Sequence, residues 1–288
     1  MSLTITASFV EEFSSLVTHL SQQEAARLRD SVRIENGVVG KSHHFERLGH
    51  SEPIPTSRHG QTYIANDVHD RKTAYLEDYQ KGLLVDKLDK VKLLIDPSSE
   101  YTRNISYSFA RLFDRVTYDT LQAPYIANAS AIGKVIEEDN TNGLNFIKVL
   151  EAREFFDAQE VPEGERYFGY TAETMTTLLQ DNHLTNADYN VVKVLVEGRI
   201  DPGMTWMGFK WRRFNSTHVN YSANNSANHH LLFAWARPSI GMAVGAEMQL
   251  DIAQRKDLQN SWQIWGCMSL GGVVIEPEIL CAVETYKG

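Results

Sequence analysis

The sequence predicts an α+β protein, and three observations predict it. A helical stripe of apolar residues runs from Tyr101 to Val116. A polar stretch with strand-like pieces precedes it, and short helices and strands follow it in mixed order. With 288 residues, 42% of them apolar and 10% aromatic, the chain can bury one large core or two smaller ones.

Residues 1–31 read as an arm. Phe9, Phe13, Leu16, Val17, Leu20, Ala25 and Leu28 fall near i, i+3, i+4 spacing, with Glu11, Glu12, Gln22 and Glu24 between them. One amphipathic helix with a single apolar stripe must cover some other surface. Residues 32–83 read as an extended ribbon. Only 11 of the 40 residues from Lys41 to Gln80 are apolar. The strand-like pieces Val32–Ile34 and Gln61–Ile64 are separated by Gly40, Gly49, Pro53, Pro55 and Gly60. Two strands of this composition have no core of their own and need something to lie on.

Residues 84–143 hold the long helix. Pro97-Ser98-Ser99-Glu100 is a start signal, and Tyr101, Ile105, Phe109, Leu112, Phe113 and Val116 form the stripe to be buried. The pattern predicts an end near Leu121, followed by a small-residue, Asn-rich loop or crossing from Ala123 to Gly143. Residues 144–288 mix helices at Asn145–Phe156 and Thr171–Gln180 with strands. The strands are expected at Arg166–Tyr170, Val191–Val196, Phe209–Phe214, Leu231–Ala236, Met242–Leu250, Ser261–Leu270 and Gly272–Ile275.

Chemistry is hard to find. There is no Gly-rich phosphate loop, no H-E-x-x-H and no G-x-S-x-G. His43, His44, His50, His59 and His69 all fall in the ribbon, scattered over loops rather than at ligand spacing, so they read as solvated or inter-subunit residues. Adjacent His229 and His230 point apart on a strand and chelate poorly. Lys210, Trp211, Arg212 and Arg213 are interleaved with Phe209 and Phe214. On a strand this gives one apolar-leaning face and one solvated or partner-facing face, a better reading than a nucleic-acid site. The pairs Glu137-Glu138 and Glu276 with Glu278 read as solvated charge. No catalytic residue, cofactor site or metal site is expected.

The formal charge of −9 argues against tight binding of nucleic acid, though not against enclosing it. Two cysteines, Cys267 and Cys281, are too few for a disulfide framework and fit a reducing cytosol. The start Met-Ser-Leu-Thr-Ile-Thr-Ala has no basic n-region, and the longest apolar stretch is broken by Arg237, Pro238 and Glu247, so neither a signal peptide nor a membrane span is expected.

With chemistry absent, the order of parts is the signal. "VRIENGVVGKSHHFERLG" (Val32 to Gly49) is similar to the start of the extended loop in phage capsid proteins, and "HDRKTAYLEDYQKGLLVDKLD" (His69 to Asp89) to its returning strand. "LIDPSSEYTRNISYSFARLFDRV" (Leu94 to Val116), with Arg111 and Asp114, looks like the start of their spine helix. The strand, helix and Asn/Asp loop within "VPEGERYFGYTAETMTTLLQDNHLTNADYN" (Val161 to Asn190) resemble another shared passage, as does "VEGRIDPGMTWMGFKW" (Val196 to Trp211). The chain thus resembles the major capsid proteins of tailed bacteriophages, the Hong Kong 97-type coat fold, over nearly its whole length.

That resemblance implies an N-terminal arm helix (1–31), an extended loop or β-ribbon (32–83), a peripheral domain with the spine helix (84–143) and an axial domain whose strands return to the peripheral one (144–288). It implies a non-enzyme that self-assembles as pentamers and hexamers of an icosahedral shell around double-stranded DNA, made in the bacterial host cytoplasm and located in the virion capsid. At most about 30 residues precede the ribbon, so a separate scaffolding protein is expected, with a portal and a possible decoration protein as further partners, and no membrane. An encapsulin-like nanocompartment shell is the alternative on the same fold. A cytosolic enzyme with an unrecognised site is the alternative of another class.

Overall fold

The structure is a computed structural model and describes residues 23–49, 51–62, 64, 68–85, 98–137, 143–181, 205–216, 219 and 229–286. Among them the order is β1 (Arg33–Asn36), β2 (Ser42–Leu48), β3 (His69–Tyr75), β4 (Glu77–Val85), α1 (Ser98–Ala127), β5 (Lys134–Ile136) and α2 (Phe146–Ala158). Then come β6 (Arg166–Tyr170), α3 (Ala172–Leu179), β7 (Thr205–Trp206), β8 (Phe209–Arg213), β9 (His229–Ala236), β10 (Ile240–Arg255), β11 (Ser261–Val274) and β12 (Cys281–Tyr286). They form a six-stranded sheet in the order β5-β12-β9-β6-β8-β7, a four-stranded sheet β1-β10-β11-β4 and a two-stranded sheet β2-β3. The expected strand at Val191–Val196 lies outside the described residues, as does most of the expected terminal helix.

The six-stranded sheet is the centre of the core. Its middle strand β9 carries the run Leu231-Leu232-Phe233-Ala234-Trp235, every residue of it buried. Such an unbroken run suits a strand covered on both faces. The neighbouring β6 brings Tyr167 and Phe168 into the same core, and the Phe214 ring stacks on Trp235 at 5.9 Å between centroids. Only glycine fits at Gly169, because a Cβ there would lie 1.9 Å from the Phe214 ring. Two short helices accompany this sheet. Asn145 caps α2 by accepting from the Lys148 N–H at 2.9 Å, and Thr171 with Thr174 closes a reciprocal capping box on α3.

Helix α1 has 30 residues, about 45 Å at the usual rise. Its stripe Ile105, Phe109 and Phe113 is buried against β11, where a Cβ at Gly266 would meet Ile105 and Phe109 at 2.9 Å. The helix runs past Leu121 to Ala127, through Pro124, which cannot donate to the carbonyl four residues back. Tertiary packing outweighs that loss. Leu121 and Tyr125 are buried, and the Tyr118 hydroxyl donates to the Leu231 carbonyl at 2.9 Å.

The sequence expectation also differs from the structure at both ends of the ribbon. Gln61, Thr62 and Ile64 carry no strand; the antiparallel pair is β2 with β3, in the register Ser42 opposite Tyr75 through Leu48 opposite His69. β-propensity at Thr62 and Ile64 has no neighbouring strand to satisfy it. The flanking strands join the four-stranded sheet instead, β1 parallel to β10 and β4 antiparallel to β11. At its base the ribbon has a small core of its own chain: Phe45 and Ala74 pack with Ala243 and Ile275. Gly271 leaves room for the strand crossing, since a Cβ there would lie 1.8 Å from the Tyr75 carbonyl oxygen.

Candidate functional site

The side chains singled out in the sequence do not converge on a reaction centre. His43 and His44 are neighbours on β2 and point to opposite faces. His43 lies edge-on to Phe45, and His44 Nδ1 is 2.9 Å from the Thr73 hydroxyl across the ribbon. His69 pairs opposite Leu48, His59 sits in a tip turn with φ of +67°, and His50 lies outside the described residues. Among the described residues no group of three or more His, Cys, Asp and Glu side chains could hold a metal ion. His230 is buried, with Nε2 2.7 Å from a Glu173 carboxylate oxygen. Burial pushes the Cys281 thiol up to about 12, so it is inert packing at this position. No described helix is long and apolar enough to cross a membrane.

The basic strand β8 has a different role from the one expected. Phe209 and Trp211 do enter the core, but the opposite face is not left to solvent. Arg212 is only 8% exposed and pairs with Asp30, while the Lys210 ammonium donates to the Gly164 carbonyl at 2.7 Å. Both cations lie over the Tyr167 ring, at 5.7 and 5.5 Å. The face is occupied because the arm segment Gln23–Val32 crosses it.

That crossing is held by buried polar anchors that the sequence did not reveal. Asp114, on α1, accepts from the backbone N–H groups of Arg27 and Leu28 at 3.0 Å and from the Gln23 amide. Burial raises the Asp114 carboxyl above its ordinary value, and these donors oppose the rise. The Tyr167 hydroxyl donates to the Asp30 carbonyl and the Trp235 indole to the Ser31 carbonyl. Gln23 to Leu28 is not helical, contrary to the amphipathic pattern, and the Arg27 and Leu28 N–H groups are taken up by Asp114 of α1 instead.

The ribbon is anchored at its base and open beyond it. Arg47 makes a two-pronged contact with Glu278 at 2.8 and 3.2 Å and a third with Asp70 at 3.2 Å. The Arg47 guanidinium holds the Glu278 carboxyl below its ordinary value, so Glu278 is a structural partner rather than free surface charge. On the outward face His44 faces Thr73 and Glu46 faces Arg71, cross-strand pairs that fix the register. Apolar side chains also face water, Tyr75 72% exposed beside the root and, further out, Leu48 65%, Ile54 57%, Ile64 82% and Val68 72%. Five large apolar groups on one projecting ribbon mark a docking surface rather than scattered surface residues.

The sequence matches the family described as phage capsid protein over residues 5–285. A comparison with curated proteins gives no match. Among solved structures, the capsid of Ralstonia phage GP4 superposes with a TM-score of 0.74 at 11% identity, covering 100% of this chain and 98% of that one. The capsid of cyanophage P-SCSP1u gives 0.72 at 17% identity, with 98% and 94% covered. Mycobacterium phage Che8 gives 0.68 at 17% identity, with 97% and 98% covered. These likenesses carry the fold, and the family match carries the class of protein. The base-anchored ribbon and the long helix α1 are therefore parts of a capsid subunit, and the chain belongs to the phage capsid protein family.

Proposed function

We propose that this capsid protein is the major building block of a tailed-phage head, assembling as pentamers and hexamers of an icosahedral shell around double-stranded DNA. The observation that carries the reading is the ribbon, whose base packs on its own chain while its apolar outer residues are left uncovered among the described residues. Laid across a neighbouring subunit, those residues leave water. The obligate interfaces that hold such subunits bury on the order of 2,000 Å² or more. The family match supports this over a nanocompartment shell or a cytosolic enzyme. The net charge of −9 suits a wall that contains DNA without gripping it.

The division into arm (1–31), ribbon (32–83), peripheral domain (84–143) and axial domain (144–288) belongs to the same proposal, as do a scaffolding protein, a portal and synthesis in the host cytoplasm. The test is negative-stain microscopy of nuclease-treated particles from cells expressing the chain with and without its neighbouring phage genes. Uniform shells or capsomer rings are expected. Small discrete particles under both conditions would overturn the proposal. Replacing residues 51–62 by a short Gly/Ser turn should leave folded subunits that no longer close shells.

A further inference from the structure

Strand β6 carries opposite charge at its two ends, basic side chains around Asp30 at one and, at the other, a glutamate-rich turn whose Gly164 carbonyl takes the Lys210 ammonium. At the C-terminal end, Tyr170 borders a cleft of about 740 Å³ that is also lined by Arg27, Arg29, Arg212 and Arg213. A second hollow of about 300 Å³ continues past Arg27 and Arg213 to Arg111. Arg29 pairs with Glu247 and Arg212 with Asp30. The guanidinium groups of Arg27 and Arg213, which line both hollows, make no ion pair among the described residues. At the N-terminal end of β6 lies the turn Glu160–Glu165. Its Glu160, Glu163 and Glu165 are exposed and likewise make no ion pair among the described residues.

The two features cannot satisfy each other within one chain. The five residues of β6 separate them by roughly 13 Å of extended strand. Between copies the arrangement is different. A contact that joins two unlike patches is heterologous, and repeating it closes a ring when the rotation per step divides the circle. Five- and sixfold capsomers need such a contact.

We propose that the acidic turn Glu160–Glu165 of one copy docks against the Arg27 and Arg213 cleft of the next copy in the same ring. This rests on the shell reading above. Carboxylates meeting guanidinium groups in paired hydrogen bonds give both strength and register. The Trp211 and Tyr170 walls exclude water on one side, which strengthens the attraction. Opposite charge at the two ends also steers subunits head to tail and opposes head-to-head encounters. Phosphate is the weaker candidate for the cleft, because this chain carries the complementary carboxylates itself and is acidic overall.

The test is a charge swap in the full chain. Wild type, Arg27→Glu with Arg213→Glu, Glu163→Arg with Glu165→Arg, and all four together are compared by sedimentation and microscopy after nuclease treatment. Circular dichroism serves as the folding control. Each pair is expected to lower the yield of shells or rings tenfold or more, and the fourfold variant to recover it to within about threefold of wild type. Should a reversed pair fail to fold, Arg27→Gln with Arg213→Gln takes its place and is expected to lower the yield at least threefold. Undiminished yield in folded variants overturns the docking, and so does a folded fourfold variant that stays unassembled. Normal shells with reduced packaged DNA also overturn it and assign the cleft to phosphate. Wild type that forms neither shells nor rings sinks the shell reading instead, a failure visible before any variant is compared.

Discussion

The six-stranded sheet and the β2–β3 ribbon use the same strand geometry and meet water in opposite ways. In the sheet, β9 is buried from His230 to Ala236 and is flanked by β12 and β6. In the ribbon, Phe45 and Ala74 are buried at the base, and the distal side chains stay wet. The sheet is complete within one chain, whereas the ribbon is complete only at its root. Stability of the subunit and competence to assemble are therefore lodged in different residues.

Substitutions ranked by their effect on the isolated subunit can break that separation or sharpen it. Trp235→Ala, in the sheet, removes a wholly buried ring and its indole hydrogen bond to the arm, and should cost about 3–5 kcal/mol in denaturant unfolding. A loss below about 1 kcal/mol would show that the sheet is not the stabilising centre. Phe45→Ala should cost about 2–3 kcal/mol, at the lower end because the site is small and can relax; the faster hydrogen exchange it causes should be confined to β2, β3 and the facing part of β10. Exchange that rises equally across β9 would mean that ribbon and sheet unfold as one.

Glu278→Gln removes half of a mostly exposed ion pair and should cost at most about 1 kcal/mol. The same pair gives a pH dependence. Arg47 lowers the folded-state value of Glu278, so its contribution is present above the ordinary carboxyl value of about 4.3 and is lost as pH falls below it. Exchange at the ribbon base should rise on acidification in wild type and lose that dependence in Glu278→Gln. Smallest for the subunit is Ile54→Ser with Ile64→Ser, within about 0.5 kcal/mol of wild type, while shell yield falls sharply. Unchanged assembly in that variant would remove the ribbon from the interface.

What the sequence disclosed follows the same division. The stripe Ile105, Phe109, Phe113 announced α1, and the helices expected from Asn145 and Thr171 begin within a residue of α2 and α3, because their patterns are local. The continuation to Ala127 was invisible, since Pro124 argues for an end and the burial of Leu121 and Tyr125 against distant parts of the chain overrides it. β12 escaped notice because Cys281-Ala282-Val283 is short and buried among neighbours distant in sequence, and the same holds for three-residue β5. Arg212 read as a surface cation because its partner, Asp30, lies 182 residues away. Asp114 was visible as a charge on the helix, but its backbone partners leave no trace in residue type. The ribbon was legible as a polar stretch that needs something to lie on; which of its few apolar side chains stay exposed was not.

One short turn has a mechanical consequence. Strand β9 of the large sheet passes into β10 of the four-stranded sheet through only Arg237–Ser239, and the Ser239 carbonyl is gripped by the N–H groups of Ile275 and Glu276 at 2.7 and 3.3 Å. Those residues sit beside the ribbon's root at Phe45, with Ile275 in contact with it. One three-residue turn thus ties the junction of the two sheets to the root of the ribbon, so that a change of shape at Ser239 bears on both.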